Sequence, residues 1–142
     1  MDELQRFVTA QAPVLAAVEA ELTAGRKATH WMWFVFPQLA GLGHSPMARH
    51  YALASLDAAA AYLRHDLLGP RLRHCTGLVN AVAGRSAHEI FGTPDDMKFH
   101  SSMTLFARAV PDNGEFRTAL AKYFEAREDP RTLALLGVGH AG

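Results

Sequence analysis

Arg26, Lys27 and His30 stand directly before Trp31 and Trp33, the two tryptophans of this 142-residue chain. Gln38 follows one turn beyond the aromatic run Trp33, Phe34, Phe36. An indole face stacks on planar groups and on cations, and tryptophan seldom hides all of its surface in a core. Lys27, His30, Trp31, Trp33 and Gln38 are therefore expected to rim a polar pocket. The competing reading is that the aromatics, Phe34 and Phe36 above all, build the core of a small helical protein. Next comes Gly41-Leu42-Gly43-His44-Ser45-Pro46. Gly41 and Gly43 lead into a capped helix start, where backbone N–H groups can meet an anion. Such loops also arise for ordinary steric reasons.

A third group lies within residues 95–106. Asp95, Lys98, Ser102 and Leu105 share one helical face, and Ser101, Thr104 and Arg108 share another. Hydroxyl residues inside a helix either bond back to the carbonyl four residues earlier or line something polar. Taken together, the three groups suit a planar, anionic small molecule such as a nucleotide or an ADP-ribose-like compound. Trp stacks, Lys27, Lys98 and the glycine loop hold phosphate, and Asp96, Ser101 and Ser102 complete the polar wall. His30 and Asp96 are the acid/base pair if the ligand is turned over. The alternative, from another class, is a non-catalytic protein–protein module anchored by its tryptophans, a homodimer being one form of it.

Several chemistries find no support. The eight histidines show no His-x-x-x-His, His-Glu-x-x-His or Glu-x-x-His spacing, so no metal site is expected. There is no Walker loop, Gly-x-Ser-x-Gly or dinucleotide fingerprint, and no cofactor is expected. Cys75 is the single cysteine, which excludes an intrachain disulfide and reads as a small buried hydrophobe. Fourteen Lys and Arg balance fourteen Asp and Glu, which argues against nucleic acid or an anionic membrane as the partner. Arg64, Arg71, Arg73 and His74 read as a solvated face. The acidic opening Met1-Asp2-Glu3 lacks the apolar segment of a signal peptide, and a cytoplasmic location is expected.

The elements that must position these residues are helices. Hydrophobic residues are 49% of the chain and charged residues 20%, as in an ordinary globular domain. Asp2, Ser45, Ser55, Asp66, Ser86 and Asp129 are placed as N-caps, and Ser86 with Glu89 forms a capping box. Thr93-Pro94-Asp95-Asp96 puts two acids in a first turn, and Thr29 opens a short helix ending at Pro37. Pro13 divides the first apolar-periodic segment. Only residues 31–36 have strand-like content, and no second such run exists to pair with them. The expectation is one all-α domain over 1–142, with about seven or eight short helices and a frayed tail at 137–142.

Gly25-Arg26-Lys27, His30-Trp31-Met32-Trp33-Phe34, Phe36-Pro37-Gln38-Leu39, Gly41-Leu42-Gly43, Leu68-Gly69-Pro70-Arg71-Leu72, Asp95-Asp96-Met97-Lys98 and Ser101-Ser102-Met103-Thr104-Leu105-Phe106 closely resemble the bacterial domain-of-unknown-function family 1810. The resemblance runs from Leu4 to about Leu136. It implies a mainly helical single domain and carries no established activity. Some members are labelled calpastatin. That label gains nothing from a chain that is short, apolar-periodic and unrepeated. The motifs that carry the resemblance include all three groups above, which favours a shared pocket.

Overall fold

Short polar side chains decide where several helices begin. Ser45 Oγ accepts from Ala48 N and Ser55 Oγ from Ala58 N, each at 3.1 Å. Ser86 and Glu89 satisfy each other's backbone N–H groups in a capping box. The Asp129 carboxylate accepts from Thr132 N at 3.1 Å. The chain, a computed structural model described over residues 3–137, forms α1 Gln5–Gln11, α2 Leu15–Ala24, α3 Met32–Val35, α4 Pro46–His50, α5 Leu56–Arg64, α6 Leu68–Ala81, α7 Ala87–Phe91, α8 Asp95–Ala109, α9 Gly114–Phe124 and α10 Pro130–Leu136. No strand forms among the described residues; a lone parallel bridge joins Leu39 to Leu53. The fold is all-α.

The described residues form ten helices against the seven or eight expected; α3, α4 and α7, all three expected as short helices, are pieces of four or five residues. Within residues 31–36 the chain forms the helix α3 rather than a strand, but Thr29 does not cap it. Its hydroxyl is drawn to Glu21 instead. Asp66 is not the cap of α6 either. His65 Nδ1 accepts from Leu67 N at 3.1 Å and from Leu68 N at 3.3 Å, doing the same work from one residue earlier. Thr93 gives α8 no side-chain cap; its hydroxyl meets His88 Nδ1 at 3.0 Å. The expected Asp2 cap, and residues 138–142 of the expected frayed tail, lie outside the described residues. Gly137 ends α10 in the left-handed conformation.

The middle of α8 is buried on all sides, with Phe99, Ser101, Ser102, Met103, Thr104, Leu105, Phe106 and Ala107 all out of solvent. Helices α5, α7, α9 and α10 pack around it, α6 closes the far side against α2, α5 and α9, and α1 rests on α3. Phe99 stacks on Phe91 at 4.7 Å and meets Phe36 edge-on at 5.1 Å. Those contacts bring α3, α7 and the start of α8 together, which is the region that carries the candidate residues.

Helix α9 ends on two consecutive left-handed residues without glycine, Glu125 at φ 55° and Ala126 at φ 62°. A β-carbon there costs about 1 kcal/mol relative to glycine. Ala126→Gly is expected to stabilise the protein by about 0.5–1 kcal/mol, measured by urea denaturation. A loss of stability would show that the Ala126 methyl contributes more by packing than it costs in strain.

Candidate functional site

The approach to the site is fixed by a residue the sequence patterns do not single out. Glu21, on α2, gathers the loop that leads into α3. Its Oε1 accepts from Ala28 N at 2.7 Å, Thr29 N at 3.0 Å and the Trp31 indole N–H at 3.0 Å, and its Oε2 accepts from the Thr29 hydroxyl at 2.6 Å. Burial works to raise the carboxyl pKa, but these four donors outweigh it and hold the value at about 2. Trp31 is thereby seated at 0% exposure, with Phe36 beside it at 6.2 Å.

Above the indoles runs a chain of alternating charges. Lys27 Nζ lies 5.0 Å over the Trp31 ring, donates to Thr29 O at 2.6 Å and pairs with Asp95 at 2.9 Å. Asp95 pairs in turn with Lys98 at 3.5 Å, and Lys98 Nζ lies 5.1 Å over the half-buried Trp33 ring. The two lysines differ in access. The Lys27 side chain is 7% exposed and fully engaged, whereas that of Lys98 is 23% exposed and only loosely held by Asp95.

Lys98 also lines a cleft of about 240 Å³, walled by Gln38, Leu42, Gly43, His44, Ser45, Ala48, Pro94, Met97 and Arg131. No carboxylate is among those lining residues. Arg131 approaches it from the start of α10, its Nε 4.0 Å from Asp129 Oδ1 and its side chain 52% exposed. Gly43 sits where a β-carbon would come within 2.5 Å of the Ala48 methyl, so only glycine lets the loop fold back onto α4 and form this wall. Gly41, at φ 104°, turns the same loop and would set a β-carbon 3.3 Å from Leu135.

Arg131 is placed by a buried network. Asp129, 5% exposed, accepts at Oδ2 from Ser101 Oγ at 2.9 Å and Thr132 Oγ1 at 2.6 Å, while Asp129 N donates to Thr104 Oγ1 at 2.8 Å. Burial pushes its pKa up, and the hydrogen bonds from Thr132 and Ser101 more than reverse that, leaving the group below the usual aspartate range.

The structure therefore divides the expected residues. Gln38, Gly43 and Lys98 meet in the cleft, with Gly41 on the adjoining turn. Trp31 is wholly interior and offers no face to a ligand or a partner, because the Glu21 contact draws its polar edge inward. Lys27 is spent on Asp95 and Thr29. Ser101 is spent on Asp129 and Met97 O, and Ser102 is fully buried with no hydrogen-bond partner for its hydroxyl. No hydrogen bond or ion pair joins His30 to Asp96. His30 is exposed without a partner among the described residues, and Asp96 turns to His88 at 3.5 Å and to Met97 N. Asp95, one residue earlier, is the acid that faces the lysines. His44, Ser45 and Arg131 join the site without having been expected there; the capping of Ser45 and Asp129 fixes their loops but does not reveal that the two loops adjoin. Cys75 is buried, and burial pushes its thiol up to about 12, which agrees with an inert packing role.

Among the described residues no group of three His, Cys, Asp or Glu is arranged to hold a metal, and no helix is long and apolar enough to cross a membrane. Residues 1–136 match the family described as protein of unknown function DUF1810. The chain belongs to that family. It is also similar, at 64% identity and a TM-score of 0.94, to the crystal structure of the conserved hypothetical protein Rv1873 from Mycobacterium tuberculosis; the match covers 96% of this chain and 98% of that one. No curated protein matches the chain.

The Glu21 clamp has a pH signature. Its carboxyl sits at about 2 in the fold against an ordinary 4.5, so the stabilisation belongs to the ionised form. It is complete above about pH 4.5 and disappears as the pH falls through 2. Glu21→Gln is expected to cost about 2 kcal/mol at neutral pH, the worth of hydrogen bonds to a charged acceptor. It is also expected to flatten the acid limb of the stability–pH curve over that window. An acid limb superimposable on that of the parent would remove Glu21 from this role.

Proposed function

We propose that the cleft between the 41–45 loop, the first turn of α8 and the start of α10 binds the anionic group of a small metabolite. The observation that carries this reading is the convergence of Lys98 and Arg131 on one concave surface whose lining holds no acid. Each cation has one ion-pair partner, at 3.5 and 4.0 Å, longer than a charged hydrogen bond, so an incoming anion meets charge that is only partly neutralised. Arg131 supplies the forked donor and Lys98 the point charge, a pairing suited to phosphate or carboxylate. Gln38, His44 and Ser45 add neutral donors and acceptors around it.

Phosphate-bearing, nucleotide-like compounds are the first class to test. Their planar part has less to rest on than their phosphate. Trp31 is inside the core, and the Trp33 face is covered by Lys98. The same burial and cover count against the tryptophans as anchors of an interaction module. The reading is one of binding.

Inorganic phosphate, pyrophosphate, AMP and ADP-ribose are expected to raise the melting temperature by several degrees, since a ligand at a hundred times its Kd stabilises by about 2.7 kcal/mol. Trp33 emission is expected to change in parallel as the anion draws Lys98 from its ring, with interior Trp31 as a constant background. Lys98→Ala and Arg131→Ala are each expected to weaken binding at least about tenfold, the cost of one charged hydrogen bond. Equal responses to these anions and to sodium chloride at matched ionic strength would overturn the reading.

A further inference from the structure

The cationic cleft does not end at Arg131. Leu42, His44 and Arg131 also line a second hollow of about 360 Å³, whose other walls are Gly41, Ala134 and Leu135. The two hollows adjoin at these three residues and together make up a groove beside α10. Its character changes along its length: Lys98, Arg131, Gln38 and Ser45 gather at one end, and beyond Arg131 the side chains are Leu42, Ala134 and Leu135. Leu135 is 50% exposed, one of four large hydrophobic residues left open to solvent among the described residues. It is held up against bare backbone, its two methyls 3.3 Å from where a Gly41 β-carbon would stand. Past Leu135 the surface turns acidic at Asp57, which lines the next hollow with Leu135 and Leu136. A second anion is disfavoured there, so the groove has a fixed polarity.

We infer that the ligand of this groove is an amphiphilic phosphomonoester, with its phosphate between Lys98 and Arg131 and a short flexible apolar substituent laid over Gly41 against Ala134 and Leu135. The inference rests on the anion-binding reading and narrows it, replacing a planar base with an aliphatic chain. Charge complementarity selects the phosphate end. The apolar walls select the substituent, because past His44 and Arg131 the lining side chains are Leu42, Ala134 and Leu135, which offer no donor or acceptor to a ribose or a base edge. The volume supports the same division. A hollow of about 240 Å³ takes a phosphate and its first atoms, and the neighbouring 360 Å³ takes the rest, together within the range of small-molecule sites.

Calorimetric titration of the full chain with inorganic phosphate, methyl phosphate, butyl phosphate and AMP tests this. Each methylene buried in the groove is worth between about twofold and fourfold in affinity, so butyl phosphate is expected to bind at least about eightfold more tightly than methyl phosphate. Leu135→Ser, at a half-exposed position, is expected to reduce that ratio to about threefold or less while phosphate itself still binds. Ala134→Asp provides the same test from a solvent-exposed neighbour. If phosphate binds but affinity is independent of chain length, if the increment survives both substitutions, or if AMP binds more tightly than butyl phosphate, the amphiphile is overturned and the anion site stands. If none of the four compounds binds, both readings fall together.

Discussion

A helix buried on every side must find partners for its polar residues, and two of the three hydroxyls in the buried run of α8 have them, Ser102 alone going without. Ser101 and Thr104 each donate to the carbonyl four residues earlier, but Ser101 also shares its hydroxyl with Asp129, and Thr104 accepts from Asp129 N. An unmet buried hydroxyl or carboxylate costs more than the net gain of an ordinary hydrogen bond. This requirement fixes the chain at Asp129, and Asp129 is also the N-cap of α10. The direction of α10, and with it the placing of Arg131 opposite Lys98, thus follows from the polar needs of the helix core.

The other end of α8 is tied down by charge. Asp95 lies between two lysines, each set over an indole, so the arrangement looks symmetric in composition and is asymmetric in energy. Lys27 has a close ion pair, a carbonyl acceptor and almost no exposure; Lys98 has a longer pair and a solvent-facing side. The difference begins at Glu21, which pulls the Trp31 edge and the loop before it inward and brings Lys27 with them. Trp33, two residues later on a helix of a single turn, is carried to the opposite side and stays half-buried. One lysine becomes structural and the other remains available.

Local features were legible in the sequence and distant ones were not. Ser45, Ser55, Ser86 and Asp129 cap as their spacing implies, because a cap is satisfied by a backbone N–H two or three residues away. The same logic misassigned Asp66 and Thr29, where His65 and Glu21 compete for the same local groups. The three groups named from sequence do converge on one region, but the choice of residue within each was displaced. Asp95 rather than Asp96 faces the lysines: the two are adjacent, point about 100° apart on the helix, and only the position of Lys27 distinguishes them. Glu21 and Arg131 left no mark in the sequence, since neither lies near its functional partners along the chain. Glu21 sits ten residues before Trp31, and Arg131 thirty-three after Lys98. Ser101 finds its partners inside the fold, in Asp129 and Met97 O, whereas Ser102 has none.

The neutral composition conceals a local imbalance for a reason the structure makes plain. Asp95 is divided between two lysines, Glu21 is saturated by four donors, and Asp129 spends one oxygen on Ser101 and Thr132 and leaves the other 4.0 Å from Arg131. The acids near the cleft are therefore consumed in holding α8, α10 and the 27–31 loop in place, whereas its cations are only partly compensated. A basic surface is usually built by adding lysine and arginine. Here the local charge results from where the carboxylates are engaged. Salt screening over a Debye length of about 8–10 Å leaves such a feature invisible to distant polyanions while retaining its attraction for an ion already inside the cleft.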